Sequence, residues 1–294
     1  MTDPATSAFV AHRNLLFTVA YEILGSAADA EDVLQETWLR WSDVDLDEVR
    51  DQRAYLVRIT TRQALNRLRT AQRRRETYTG QWLPEPLLTA PDVADDVELA
   101  EQVSLAMLLV LETLAPLERA VFVLREVFDV GYDEIAAAVD RTPAAVRQIA
   151  HRAREHVAAR RPRVAVPAEE VKDALESFRL AMTTGDLQGL LDVLAPDVTL
   201  VADGGGVRQA ALRPILGADK VMRFLFGALG KAGGGVSVDA ATVNGGPALV
   251  VGLDGEVDGV LLARVEEGRI AALYYVRNPE KLERLAAETP LALR

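Results

Sequence analysis

The sequence predicts two all-α domains followed by one α+β domain. Apolar residues recur at helical spacing from about Ser7 to Tyr78 and again from about Asp96 to Arg161. Prolines interrupt this pattern within residues 80–91 and 161–167, where a helix cannot continue. After residue 167, one helix is followed by glycine-rich turns and short apolar runs, which is typical of an α+β domain with antiparallel strands. Strands are expected at Asp197–Val201, Ala248–Leu253 and Val257–Val265.

The composition limits the class of protein. A chain of 294 residues, 49% of them hydrophobic, can bury two or three separate cores. It has no apolar run of the roughly 20 residues that a membrane-spanning helix needs and no basic-then-apolar signal at its N-terminus, so we expect a cytoplasmic protein. The absence of cysteine excludes disulfides, thiolate metal sites and cysteine nucleophiles, and three histidines supply little for a metal site. We therefore expect no metal and no cofactor, and no cysteine or histidine as a catalytic residue.

Charge is unevenly distributed along the chain, which has a net charge of −11. Eight arginines and no acidic residue occur between Arg53 and Arg75, and seven arginines accompany Glu155 alone between Arg141 and Arg163. Both segments predict basic surfaces that suit a nucleic acid. Between Glu22 and Asp51, by contrast, ten acidic residues face two arginines. That surface would repel DNA and therefore needs another partner.

Residues 132–158 have the form of a helix-turn-helix. Tyr132–Val139 and Ala144–Ala158 are predicted helices; between them Thr142 is a favourable N-cap and Pro143 suits the first helical position. The second helix has an apolar stripe on one side and polar, largely basic side chains on the other, as base edges and phosphates require. A DNA-reading helix is favoured over a solvated bundle helix because cap, turn, stripe and polar face agree.

The motifs Leu117–Glu126, Gly131–Ala136 and Thr142–Arg154 resemble region four of the sigma-70 family, which reads the −35 promoter element. Asp140 stands where the family commonly has glycine, and aspartate tolerates a left-handed backbone. The resemblance implies that the −35 contacts come from Arg141, Thr142, Arg147, Gln148, His151 and Arg152.

Two motifs in the first domain resemble sigma region two. Asp29–Trp41, in the acidic stretch, is similar to the helix that binds the clamp coiled coil of RNA polymerase; Trp38 and Trp41 share its apolar stripe and are expected in the core. Arg53–Arg69 is similar to the −10 region, where melting needs cations for phosphates and surfaces for unstacked bases. The resemblance implies polymerase contacts from Asp32, Gln35, Glu36 and Arg40, and −10 contacts from Arg53, Tyr55, Arg58, Arg62, Asn66 and Arg69.

The residues from about 168 to 285 resemble the SnoaL-like branch of the nuclear-transport-factor-two fold, a cone formed by a curved sheet and helices. With Trp82–Pro86, Asp203–Gly206 and Asn278–Leu282, the whole chain resembles the extracytoplasmic-function (group IV) sigma factors that carry such an extension. Val207 replaces the lysine that usually follows the three glycines. The resemblance implies that the extension regulates the sigma core by docking on it, and it leaves open an unidentified small ligand in the cone pocket. The interdomain regulatory residues would be Trp82, Pro84, Asp203, Gly204, Gly205, Gly206, Asn278, Pro279 and Lys281.

The expected domains are residues 1–79 for region two, a linker at 80–95, residues 96–163 for region four and residues 168–294 for the SnoaL-like domain. The favoured function is a sigma factor that binds core RNA polymerase, recognises both elements of promoter DNA and initiates transcription. One alternative is a small-molecule cyclase or isomerase that uses a pocket aspartate such as Asp203, although a glycine-flanked aspartate is more often a turn residue. The other is a DNA-binding regulator that senses a ligand without polymerase, against which the acidic Asp29–Trp41 motif argues.

Overall fold

The computed structural model describes residues 3–76, 78, 80–89, 104–160, 166–231, 235–286 and 288–293. Two predicted segments lie partly outside these ranges. They are the linker beyond residue 89 and the second domain before residue 104 and after residue 160. No helix within the described ranges is long and apolar enough to cross a membrane.

The first helical unit consists of α1 (Pro4–Leu24), α2 (Ala27–Trp41) and α3 (Gln52–Glu76), with a 3-10 turn at Leu46–Glu48. α1 ends at Gly25, whose φ of 66° reverses the chain before Ser26 caps α2 through a side-chain hydrogen bond of 3.2 Å. Trp41 is fully buried at the end of α2, and Trp38 packs edge-on against Phe9. Both tryptophans are therefore packing residues, as the sequence predicts.

The second helical unit contains α4 (Leu105–Leu111), α5 (Pro116–Phe122), a π-helical segment (Val123–Val127), α6 (Tyr132–Val139) and α7 (Pro143–Ala158). The predicted helix-turn-helix is confirmed in α6 and α7. Thr142 caps α7 by accepting a hydrogen bond from the Ala145 amide at 3.2 Å, and Pro143 is the first helical residue. Asp140 ends α6 with a φ of 56°, the left-handed conformation that aspartate tolerates.

The described part of the C-terminal domain combines four α-helices and a 3-10 helix (Glu283–Ala286) with a six-stranded sheet in the order β2-β1-β6-β5-β4-β3. The helices are α8 (Ala168–Thr184), α9 (Leu187–Val193), α10 (Ala218–Lys231) and α11 (Pro279–Leu282). The strands are β1 (Leu194–Asp203), β2 (Ile215–Leu216), β3 (Val236–Val243), β4 (Gly246–Leu253), β5 (Glu256–Glu266) and β6 (Arg269–Val276).

Four of the five strand pairs are antiparallel as expected, but β1 and β6 pair in parallel. The sheet is therefore mixed, and the expected antiparallel pairing holds for every strand pair except this one. The chain crosses over through α10 after β1 and then forms the meander from β3 to β6. A crossover of this kind allows the last strand to return beside the first in the same direction.

Apolar packing joins the three units. One cluster runs through both helical units, and a second fills the C-terminal domain between its helices and the sheet around Leu249 and Leu261. A third brings Leu105 from α4 together with sheet residues that include Ala248 and Leu262. Because adjacent strand residues point to opposite faces, α4 covers the sheet face opposite α8, α9 and α10, on the side where Leu282 of α11 also packs.

Two extended segments add further connections between units. Residues 80–89 pass from the end of β1, where the Leu83 amide contacts Asp203, to the edge strand β3, where Leu88 forms a bridge with Val243. Residues 288–293 return to α1, where the Ala292 amide donates to the Thr18 hydroxyl at 3.1 Å and Leu291 is buried. The C-terminal domain therefore contacts the first helical unit as well as the second.

Candidate nucleic-acid interface and interdomain contacts

α7 presents the predicted −35 residues on one exposed side of the motif. Its apolar stripe, from Val146 to Val157, is buried in the helical core. The polar side chains lie opposite this stripe and in the preceding turn. Those in exposed positions are Arg141, Thr142, Arg147, Gln148, His151 and Arg152.

Local contacts orient this face without neutralising it. The Arg147 guanidinium lies 5.5 Å from the ring centroid of Tyr132 on α6, which is cation–π distance. Arg152 lies 3.9 Å from the Glu118 carboxylate, a long and exposed pair of little energetic weight. The basic side chains therefore remain available to DNA phosphates and base edges.

The predicted −10 residues lie along α3 in different surroundings. Tyr55 packs against Trp41 with ring centroids 5.8 Å apart, and the Arg58 guanidinium lies 4.5 Å from the Tyr55 ring. Tyr55 is thus held on one side by the core of its own unit. Of the remaining residues, Arg53 is half-buried, and Asn66 and Arg69 are exposed.

Arg62 connects α3 to the helix-turn-helix. Its Nη2 donates to the Ala137 carbonyl oxygen at 2.8 Å and its Nε to the Ala138 carbonyl oxygen at 3.2 Å, both in the last turn of α6. The last four carbonyls of a helix lack intrahelical donors and carry partial negative charge, which makes arginine a favourable partner. A residue predicted to bind the −10 element thus contacts the motif predicted to read the −35 element.

The predicted polymerase residues are exposed along α2: Asp32, Gln35, Glu36 and Arg40. Two residues of α3 order the acidic ones. Arg67 pairs with Asp32 and lies 3.7 Å from Glu36, and Gln63 donates to Glu36 at 3.0 Å. The acidic surface is therefore held in place by the basic helix behind it.

Asp203 is fully buried at the end of β1 and binds residues from outside its domain. One carboxylate oxygen accepts from the Tyr78 hydroxyl at 2.5 Å and the Gly205 amide at 3.0 Å. The other accepts from the Leu83 amide at 2.9 Å and the Lys281 ammonium at 2.7 Å. Burial and the bond to Asp203 raise the pKa of Tyr78, so this hydroxyl stays a donor. With both oxygens occupied, Asp203 is not free to act as the acid or base of a cyclase.

Trp82 lies between two cations. The Arg75 guanidinium lies 3.5 Å and the Lys281 ammonium 4.1 Å from the ring centroid of Trp82. Lys281 also donates to the Leu83 carbonyl at 2.5 Å; burial lowers the pKa of Lys281, and the Asp203 carboxylate acts against that. Arg75 belongs to α3 and Lys281 to the C-terminal domain, so the indole joins two units. We call Tyr78, Trp82, Leu83, Asp203 and Lys281 the Asp203 cluster.

Close contacts require glycine at two positions beside this cluster. A Cβ on Gly204 would lie 2.2 Å from the Arg208 carbonyl oxygen, and one on Gly205, where φ is 67°, 2.4 Å from the Asn278 side chain. Asn278 also caps α11 and donates to the Tyr78 hydroxyl at 3.2 Å. The other predicted interdomain residues lie nearby, with Gly206 at a φ of 74°, Pro279 at the first position of α11, and Pro84 buried.

The sequence reasoning missed a second contact, at the turn between β3 and β4. Asn244 is almost fully buried, accepts from the Leu87 amide at 3.1 Å and donates to the Tyr21 hydroxyl at 2.7 Å. Tyr21 in turn donates to the Glu85 carbonyl at 2.6 Å, and the Glu85 carboxylate accepts from the Ala27 amide at the start of α2 at 2.8 Å. The dipeptide Asn244-Gly245 signals a hairpin turn, but no local pattern signals its partner on α1.

Asp258, another buried aspartate of the C-terminal domain, is also engaged. Arg277 donates to both oxygens of Asp258 at 2.8 and 2.9 Å, and Tyr275 donates at 2.8 Å. Burial acts to raise the pKa of Asp258, but these bonds outweigh it and hold that pKa below its usual value. Surface openings of about 360 Å³ beside α10 and about 340 Å³ between α8 and α9 include neither Asp203 nor Asp258. The arrangement gives the cyclase alternative no support.

Residues 8–74 match the family described as Sigma-70 region 2, and residues 104–157 match Sigma-70, region 4. The chain is 39% identical to the ECF RNA polymerase sigma factor SigJ of Mycobacterium tuberculosis, over 94% of this chain and 92% of that protein. It is 32% identical to the probable ECF RNA polymerase sigma factor SigI of the same species, over 97% of each. The crystal structure of Mycobacterium tuberculosis SigJ matches with a TM-score of 0.75 at 36% identity, covering 98% of this chain and 100% of that one.

Proposed function

This chain belongs to the extracytoplasmic-function RNA polymerase sigma factors, in the subgroup with a SnoaL-like extension, and from that premise we propose that the extension controls how the sigma core reaches its promoter. Region two is the first helical unit and region four is the second. As a sigma factor the chain is not an enzyme: it binds core RNA polymerase and promoter DNA and directs transcription initiation. We also propose a cytoplasmic location, where core polymerase and promoter DNA are found.

The proposed contacts divide among three helices. α7 reads the −35 element with Arg147, Gln148 and their neighbours, because this side of α7 is exposed. α3 binds the −10 element, where its arginines neutralise phosphates and Tyr55 contributes an aromatic surface. α2 binds polymerase through the acidic surface around Asp32 and Glu36.

The contact of Arg62 with the carbonyls of Ala137 and Ala138 is the observation that carries the regulatory proposal. It places the −10 helix directly against the helix-turn-helix. The two promoter elements, by their names, lie roughly 25 base pairs apart, which is about 85 Å of B-form DNA. Regions two and four in direct contact cannot span that distance. We call this contact state the closed arrangement, and reading both elements requires it to open.

The C-terminal domain stabilises the closed arrangement through three contacts. The Asp203 cluster holds the linker and α3, the Asn244 turn contacts Tyr21 of region two, and the sheet face packs against Leu105 of region four. Tethering in one chain raises the effective concentration of these partners to about the millimolar range, so modest contacts suffice. Polymerase or promoter DNA shifts the balance only if it binds the open form more tightly.

The test compares Asp203→Asn with Asp197→Asn, an exposed residue of the same strand. The absence of native cysteine allows fluorophores to be attached at Ser42→Cys in region two and Arg160→Cys in region four, both exposed. Asp203→Asn removes the charge that binds Lys281 and should increase both the distance between the labels and the run-off transcript made with limiting core polymerase.

The Asp197→Asn control should match the parent protein in both measurements. Core polymerase with promoter DNA should increase the label distance in every variant. Equal distances and equal transcript for Asp203→Asn and the parent would refute the regulatory role of the C-terminal domain while leaving the sigma activity intact.

A further inference from the structure

A buried carboxyl group lies where region two meets region four. Glu22 is fully buried near the end of α1, and neither of its carboxylate oxygens has a hydrogen-bond partner in the described part of the chain. Its backbone carbonyl accepts from Nε of Arg119, a residue of α5, at 2.9 Å. Thr18, one turn earlier, contacts Ala292, and Gly25, almost one turn later, lies beside Arg119. The side of α1 that carries Glu22 is therefore covered by region four and by residues 288–293.

The charged groups around Glu22 come from three elements. Arg119 pairs with Glu112 through one guanidinium nitrogen, and its Nη2 has no hydrogen-bond partner among the described residues. Arg75 of α3 pairs with the same Glu112 and donates to the Leu24 carbonyl at 2.6 Å. Other charged and titratable groups on the elements packed against α1 bind elsewhere: Asp29 to Arg67, Glu31 to Arg13, Arg125 to Asp129, Glu126 to Arg154, Glu85 to the Ala27 amide, and Tyr21 to the Glu85 carbonyl.

This environment favours the uncharged form of Glu22. A buried carboxylate without hydrogen bonds is costly, so the group protonates instead of staying charged. Burial raises the pKa of Glu22 from 4.5 to about 8, although the positive charge of Arg119 acts to lower it. When region four leaves α1 to reach a distant −35 element, this side of α1 returns to water and the carboxyl regains an ordinary pKa.

We propose that closing the sigma core takes up a proton at Glu22, so that the balance between the closed and open arrangements responds to pH. This inference rests on the proposed function, because it needs the two arrangements to exchange. The open form ionises first as the pH rises, so the contribution of Glu22 to closure is complete below about pH 4.5 and is lost as the pH rises towards about 8. In this window the closing constant should fall by up to about tenfold for each pH unit. Acid favours closure, and alkali favours opening.

The experiment follows the distance between labels at Ser42→Cys and Arg160→Cys between about pH 5.5 and 8. The parent should open as the pH rises. Glu22→Gln, which resembles the protonated carboxyl, should stay closed with a flat pH profile. Glu48→Gln, an exposed carboxyl of the same unit, should behave like the parent. An equally steep profile in Glu22→Gln and the parent would overturn the role of Glu22.

A second measurement needs no fluorescent labels. Calorimetry of the unlabelled protein with core polymerase, in two buffers of different ionisation enthalpy, counts the protons released on binding at about pH 7. Binding of the parent to core polymerase should release close to one proton more than binding of the Glu22→Gln variant.

Label distances that change with polymerase but not with pH would overturn this inference alone. Distances that change with pH but not with polymerase would overturn the proposed function alone, and distances that respond to neither would overturn both.

Discussion

α7 and α3 both carry arginines proposed to bind promoter DNA, but Arg62 of α3 is bound by another helical unit, whereas, among the described residues, the arginines of α7 contact only their own unit. The polar side of α7 is exposed while its caps, turn and apolar stripe all lie within residues 132–158. α3 is bound at Arg62 by α6, and at Arg75 by Trp82 and Glu112. The difference indicates that the proposed −35 surface is complete in the closed arrangement, whereas the part of the proposed −10 surface around Arg62 becomes available only when the domains separate.

Replacing Trp82 by alanine should have the largest effect on this difference. The change removes the ring that Arg75 and Lys281 enclose, and should weaken docking by about 2–4 kcal/mol, somewhat less than for a fully buried tryptophan. Hydrogen exchange should then accelerate in the C-terminal half of α3 and in residues 80–89, while α7 keeps its protection. Trp82→Phe keeps an aromatic ring between the cations and should restore most of the protection. Equal loss of protection in α3 and α7 would mean that the variant unfolds the helical core instead of opening it.

The same contrast explains what the sequence could predict. The helix-turn-helix was predictable because Thr142, Pro143 and the apolar stripe act on neighbouring residues, and the structure confirms them. The segments of the Asp203 cluster were recognised only through a family resemblance. The roles of Tyr78 in this cluster and of Arg75 beside it were not predicted, because their partners are remote in the sequence: Tyr78 contacts Asn278 across 200 positions. A contact of this kind depends on the assembled fold and leaves no local periodicity in the sequence. The same holds for the parallel pairing of β1 with β6.

Replacing Arg147 by alanine should affect promoter binding without affecting closure. If Arg147 contacts a base edge, affinity for a −35 duplex should fall by about 1–3 kcal/mol and preference at one base pair should relax. The label distance between regions two and four should not change, because Arg147 is exposed and, among the described residues, its ring contact is with Tyr132 of its own unit at 5.5 Å. Fluorescence anisotropy with wild-type and single-substituted duplexes measures the affinity and the base preference. Unchanged affinity and unchanged base preference would remove Arg147 from the interface.

Replacing Arg62 by alanine should combine both effects. The loss of two hydrogen bonds to the end of α6 should weaken closure by about 1 kcal/mol, a small value because the guanidinium is partly exposed. The same change should weaken binding of a single-stranded −10 oligonucleotide by the polymerase holoenzyme. Arg62→Lys keeps the charge without the planar two-donor geometry, so it should preserve more of the DNA binding than of the closure. A variant that loses DNA binding at an unchanged label distance would show that the Arg62 contact does not support the closed arrangement.

Replacing Arg69 by alanine should have the smallest effect. It separates the contribution of α3 to DNA binding from its contribution to the contact between regions two and four. Arg69 is exposed, two helical turns beyond Arg62, so its removal should leave the label distance and the hydrogen exchange of residues 80–89 unchanged. If Arg69 neutralises one phosphate, the slope of log affinity against log salt concentration should become shallower by about one. The binding free energy should fall by about 0.5–1 kcal/mol, by a similar amount for all promoter sequences.

The measurement is holoenzyme binding to a promoter fragment at several salt concentrations, with Arg62→Ala in parallel. A shallower slope in both variants but opening only in Arg62→Ala would assign the two roles to separate residues of one helix. Opening in Arg69→Ala as well would mean that the charge of α3 as a whole, and not the Arg62 contact, holds region two against region four.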